Sequence, residues 1–207
     1  MTSTIGPVLR SEYPLETDRL VLRPYADEDL EALHEIERRD ETARYLYNEP
    51  LTLEATRGLL ERRKALTIID DTHDDIVLAV TIARTGEVIG HVTLQLISRQ
   101  HRQGEIGYVL HPEHQGHGYA TEAAGLMLRL GFDELELHRI VGRLDARNAA
   151  SARVLERLGM RLEAHLHENE FVKGEWVSEL VYAILATEWR SRTGTARSQR
   201  PATGGYR

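Results

Sequence analysis

Two glycines one residue apart, Gly116 and Gly118, stand between the run Glu105-Ile106-Gly107-Tyr108-Val109-Leu110 and a long stretch of small and apolar residues that begins at Tyr119. A strand, a glycine loop and a helix N-terminus in that order can gather backbone N–H groups around an anion, and the missing Cβ atoms let it come close. Two nucleotide templates are excluded. A Walker loop needs Gly-Lys-Ser/Thr, and Gly118 is followed by Tyr119; the dinucleotide fingerprint needs a third glycine where this chain has Thr121. What stays is Gln115-Gly116-His117-Gly118-Tyr119-Ala120 as an anion loop of another kind, or as a plain strand-to-helix turn in which glycine serves the backbone alone. His111, His114 and His117 recur beside it, but they follow Pro112 on a turn and no carboxylate stands at a metal-binding spacing. They read as solvated loop histidines, and no metal is expected.

The elements that must hold this loop lie on both sides of it. With 207 residues, 41% hydrophobic and 29% charged, the chain is long enough for one compact domain of ordinary soluble composition. A net charge of -7 and a pI near 5.8 argue against a whole-domain nucleic-acid binder and are compatible with a cationic substrate. The absence of cysteine excludes disulfides, thiolate nucleophiles and cysteine zinc sites, and makes a reducing cytoplasm the expected home. No apolar run approaches the roughly 20 residues of a membrane span, and the opening seven residues do not read as a signal peptide.

Residues 1–16 read as a tether, 17–190 as the domain and 191–207 as a disordered basic tail. Within the domain the pattern predicts a strand at 19–24, a helix at 27–39 and a second helix from Thr52. An antiparallel meander of 76–83, 88–97 and 104–110 follows, then a helix at 119–134, a strand at 139–144 and a helix at 148–158 stopped by Gly159. Two last strands, 160–167 and 176–186, turn at Lys173-Gly174-Glu175. The order describes one mixed α/β domain with a strand-helix-strand unit at its centre.

The ordered series from Glu105 to Leu110 and from Gln115 to Ala123, then Leu137-His138-Arg139-Ile140, and the run from Asn148 through Ser151 and Leu155 to Met160 resembles the GCN5-related N-acetyltransferase (GNAT) superfamily. More narrowly, with Thr17-Asp18-Arg19-Leu20-Val21-Leu22-Arg23-Pro24 and Lys173-Gly174-Glu175-Trp176, it looks like the RimJ/RimL branch, the ribosomal-protein alanine N-acetyltransferases. The resemblance covers roughly residues 17–190 and implies a mostly antiparallel seven-stranded sheet flanked by helices. It also implies that Gln115, Gly116, His117, Gly118, Tyr119 and Ala120 bind the pyrophosphate of acetyl-coenzyme A. Val109 and Leu110 would pair with its pantetheine arm as with an added strand. Asn148 would touch the same arm, or serve as a helix cap.

The implied reaction is attack of an amine on the thioester, which needs a base, an oxyanion donor and a route for the thiolate to leave. The resemblance implies Glu105 as the base through ordered water, where the residue alone reads equally as a solvated charge at the start of its strand. It implies a backbone amide at Val109 or Leu110 for the oxyanion, and Ser151 as a hydrogen-bond donor to the sulfur or a plain polar residue in the first turn of its helix. The chain departs from the superfamily where many members place a tyrosine acid: here that residue is Leu155. Tyr45, Tyr47, Asn48 and Trp176 are candidates for the acceptor cleft. The expected acceptor is a protein or peptide α-amine; a small-molecule amine such as a polyamine or aminoglycoside is the alternative, and an idle acyl-CoA-binding module the alternative outside enzymes. A homodimer is compatible with the sheet edge the late strands leave.

Overall fold

The structure is a computed structural model and describes residues 13–194. Its centre is one eight-stranded, open sheet in the order β1-β2-β3-β4-β5-β6-β8-β7. The strands are β1 (Leu15–Glu16), β2 (Leu20–Arg23), β3 (Asp75–Ile82), β4 (Val88–Ser98), β5 (Gln103–Leu110), β6 (Arg139–Asp145), β7 (Arg161–Val172) and β8 (Glu175–Leu185). Every neighbouring pair is antiparallel except β5 and β6. The eighth strand is the two-residue β1, which falls inside the segment read as a tether and pairs Leu15 with Leu22.

Helices cover both faces of this sheet. On one lie α1 (Leu30–Glu37), which the single-turn α2 (Asp40–Ala43) follows, and α3 (Leu53–Ala65); on the other α4 (Tyr119–Arg129), α5 (Ala149–Arg157) and α6 (Ala186–Thr193). β3 shows why its sequence is almost continuously apolar: Ile76, Leu78 and Val80 enter the large core beneath α4, while Val77 and Ala79 enter the smaller one with Leu33 and Leu60. A strand buried on both faces has no polar side to alternate with. The stripe of small residues on α4 places Ala123, Ala124 and Met127 against the sheet. A Cβ on Gly131, in the π turn (Leu130–Glu134) that prolongs α4, would sit 2.6 Å from Ile140 Cδ1.

Local signals fix the element ends. Thr52 Oγ1 accepts from the Ala55 N–H and starts α3; Gly159, at φ +82°, stops α5. The helix expected over 27–39 ends at Glu37 and resumes as α2. At the other end α6 runs to Thr193, into the segment read as the basic tail, because Trp189 is buried and stacks on Phe132 at 5.8 Å. The rest of that tail, 195–207, and the first twelve residues of the tether lie outside the described residues.

Candidate active site

The parallel pair β5–β6 is joined only from Gln103↔Arg139 to Glu105↔Val141. Beyond Glu105 the two strands part, and a chain of adjoining cavities occupies the wedge. The middle one, about 250 Å³, is lined by Ile106 to Val109 from one strand and Gly142 to Asp145 from the other. Backbone direction here follows from two fixed points. The His111 N–H donates to Ile89 on β4, and the Arg102 carbonyl accepts from β6's leading residue Arg139. Alternation between them turns the N–H groups of Tyr108 and Leu110 into the wedge and those of Gly107 and Val109 toward β4, where Val109 faces His91. Of the two amides expected to hold the oxyanion, that of Leu110 points into the wedge and that of Val109 points to β4.

At the outer end the wedge opens on the glycine loop. Gly116 and Gly118 both take left-handed backbone angles, φ +81° and +82°, which glycine adopts without steric cost. Gly118 is the N-cap of α4, and first-turn N–H groups have no acceptor within their own helix. The amides of Tyr119, Ala120 and Thr121 therefore open toward the cavity of about 230 Å³ that these residues line together with Gln115, Gly116 and Gly118. Thr121 Oγ1 is buried there with no hydrogen-bond partner. An anion with several acceptor oxygens fits this cradle of donors and partial positive charge. The Gln115 side chain turns back to donate to the Leu110 carbonyl at 3.2 Å, closing the last acceptor of β5.

Across the wedge, Asn148 caps α5: its Oδ1 accepts from the Ser151 N–H at 3.0 Å. The cap reading and the cavity reading are compatible, since Asn148 and Ser151 line both cavities named so far. Ser151 Oγ lies 2.8 Å from the Tyr108 hydroxyl, which is also 3.1 Å from the Ser151 carbonyl. This contact ties β5 to α5 across the opening. Burial pushes the Tyr108 phenol up to about 12, against the opposing hydrogen bond from Ser151, so at neutral pH it keeps its proton. Leu155 is buried against Gly142, where a Cβ would come 2.8 Å from its methyls. It is a packing residue.

The third cavity carries the carboxylates. Glu105, Glu170 and Glu179 line it with Tyr45, Tyr47, Arg143 and Asp145. Glu179 is 4% exposed and held by Arg143 through two hydrogen bonds of 2.8 and 2.7 Å; Arg147 binds both Asp145 and Glu175. Glu105 and Glu170 make no ion pair among the described residues. Burial raises the Glu105 carboxyl above its ordinary value, with Arg143 pulling it down and Glu179 pushing it up. Tyr47 is raised by its surroundings and by Glu170, whose carboxylate its phenol meets.

Not every expected residue joins this site. Trp176 is 60% exposed and packs edge-on against Phe171 on the hairpin, while its neighbours Glu175 and Val177 line the cavity. Strand alternation sends Trp176 to the other face. Asn48 is exposed and donates to the Glu49 carbonyl. The His117 ring stacks on Tyr119, outside the cavity lining. His114 meets Glu87 at 3.2 Å, and His111 and His114 contact only edge to face. No group of three or more His, Asp or Glu side chains converges on a metal position among the described residues.

Comparisons with known proteins find chains of similar sequence and fold. A family model described as "Acetyltransferase (GNAT) domain" matches residues 19–161. The uncharacterized N-acetyltransferase YnaD of Bacillus subtilis is 31% identical over 176 residues, 84% of this chain and 98% of the relative. The crystal structure of a GNAT-family acetyltransferase from Bacillus anthracis superposes with a TM-score of 0.75 at 30% identity, covering 85% of this chain and 100% of that one. Spermidine N-acetyltransferase from Vibrio cholerae, solved with CoA and spermine, gives a TM-score of 0.71 at 25% identity over 84% and 99% of the two chains.

Proposed function

This chain belongs to the GNAT family and is an acetyl-CoA-dependent N-acetyltransferase; we propose that its preferred acceptor is the α-amine of a protein or peptide N-terminus, met in the cytoplasm. The observation that carries the choice is the pairing of charges at the acceptor cavity. Asp145 and Glu175 share Arg147, and Glu179 is paired with Arg143, so each of these carboxylates already has a cationic partner. A polyamine presents several cations along an extended chain and gains most from a row of unpaired carboxylates. A single ammonium followed by a neutral backbone asks for one, and Glu105 stands unpaired beside the wedge.

In this reading the loop from Gln115 to Ala120, with Thr121, holds the pyrophosphate, and the free edge of β5 receives the pantetheine arm. The amine then sits on the Glu105 side. An α-amine has a free pKa of about 7.7–8.0, so a carboxylate raised by burial is a competent acceptor of its proton through one water. The new C–N bond forms as the carbonyl oxygen gains charge, and the Leu110 N–H is turned to meet it. When the C–S bond breaks, Ser151 supplies a hydrogen bond to the thiolate while Tyr108 fixes the serine hydroxyl. A thiol pKa of roughly 8.5 makes that leaving group tolerable without full proton transfer, which suits a chain with Leu155 where an acid could stand.

A second reading, polyamine acetylation, is favoured by Glu170, the other carboxylate of the cavity without a cationic partner. Thiol release from acetyl-CoA with N-terminal peptides, spermidine and an aminoglycoside at matched concentrations separates the two. Peptide α-amines should exceed spermidine in kcat/KM by roughly tenfold, the worth of one well-matched charged contact. A spermidine preference of that size would replace the first reading with the second.

A further inference from the structure

Arg19 touches the glycine loop from outside the cavity the loop lines. Its Nη1 donates to the His117 carbonyl at 3.1 Å, and its Nε donates to Glu122 Oε2 at 2.8 Å. A second hydrogen bond, from Nη2, completes the fork on the same carboxylate. The guanidinium also lies 4.9 Å from the centroid of the Tyr119 ring. Glu122 is itself held by the Thr17 hydroxyl. The residues that lead into β2 are thereby tied to the first turn of α4 and to the loop before it.

Peptide planarity gives this contact a direction. The unit between His117 and Gly118 is planar and trans, so its carbonyl and its N–H point opposite ways. Holding the His117 carbonyl on Arg19 aims the Gly118 N–H away from Arg19, toward the cavity that Gly118 lines. Without that hold, a glycine at φ +82° has several other backbone states of similar energy open to it. We propose that Arg19, fixed by Glu122 and Thr17, is a positioning residue that presets the loop amides for the pyrophosphate of acetyl-CoA. The proposal rests on the reading of Gln115 to Ala120 as the pyrophosphate site.

S-acetylpantetheine separates the two claims, because it carries the thioester and pantetheine arm but no pyrophosphate. The parent enzyme should show a higher kcat/KM with acetyl-CoA than with S-acetylpantetheine. Equal values would remove the loop assignment itself. Arg19→Gln should shrink that preference roughly tenfold through KM for acetyl-CoA, the size of one hydrogen bond to a charged group, while kcat/KM with S-acetylpantetheine changes less than about twofold. An equal loss with both thioesters would mean a general structural role, and no loss with either would mean no role; both overturn the proposal. Arg19→Lys keeps the charge and loses the fork. It should behave like Arg19→Gln, and full recovery of the preference would assign a plain charge effect and overturn the positioning role.

Discussion

Glu105 combines two properties that pull against each other. It needs burial to raise its pKa into a useful range for a base, and the same burial makes its charged form unfavourable. The sign follows from linkage. A carboxyl whose folded pKa exceeds its unfolded value contributes its full stability at low pH and loses it as pH rises through the folded value. Glu105→Gln, which cannot ionise, should therefore melt above the parent at neutral and alkaline pH, and the difference should vanish near about pH 4, below the free Glu value. Its kcat/KM with a peptide α-amine should fall roughly 10²-fold at neutral pH and recover as pH passes the pKa of the free amine. A uniform loss across the pH range would remove Glu105 from the role of base. At this scale the glycines Gly116 and Gly118 were legible from their own neighbours, while Glu105 was singled out by the family resemblance and lines the third cavity. Tyr108, Thr121 and Arg19 stayed hidden as site residues. The first meets Ser151 across 43 residues of chain, and the last meets His117 across 98, distances over which periodicity carries no signal.

The helices α1 and α3, on either side of the segment that carries Tyr45 and Tyr47, hang from a buried polar cluster. Arg63 on α3 reaches Glu37 on α1 at 2.9 Å and His91 on β4 at 3.2 Å, and lies over the Tyr25 ring. His91 faces Val109 on β5, so the cluster props α1 and α3 against the back of the strand that carries the site. Burial first, and then Arg63, holds the His91 ring well below its ordinary pKa, in the neutral form that can accept from the guanidinium. Arg63→Met should destabilise the fold by about 3–5 kcal/mol, because it leaves the Glu37 carboxylate buried without its cation. The double variant Glu37→Leu/Arg63→Met should lose clearly less in urea unfolding, since an apolar pair removes the desolvation cost of both groups. A double variant worse than the single one would show that the cluster acts through shape and not through charge pairing. Elements of this kind were only partly legible. The long alternating and apolar runs of β3, β4 and β5 announce themselves, as do the caps at Thr52 and Gly159. β1 is too short for any pattern, and the last turn of α6 is polar, its place decided by Trp189 on Phe132.

Over the whole molecule the sheet is two blocks, β1 to β5 and β6 to β8, joined by pairing along only the first three residues of β5. β4 pairs with β5 along its length, and β8 with the whole of β6, so each block is internally closed while the wedge between them is not. A pantetheine arm lying in that wedge would complete the sheet, with its amides taking the places of a missing strand. Strand alternation then makes a residue-by-residue prediction for amide hydrogen exchange on adding coenzyme A. The N–H groups of Tyr108 and Leu110 face the wedge and should gain protection on binding. Gly107 and Val109, already directed to β4, should change little. The loop amides from Gly116 to Thr121 should gain protection with coenzyme A and not with pantetheine, which has no pyrophosphate to hold them. At a hundredfold excess over Kd the ligand also adds roughly 2.7 kcal/mol to global stability, so slow core amides will shift together by that common amount. The alternating pattern must be read above it, in the faster-exchanging amides of β5. Protection that rises equally at Tyr108, Val109 and Leu110 would mean the arm does not pair with this edge, and the wedge would then hold the acceptor alone.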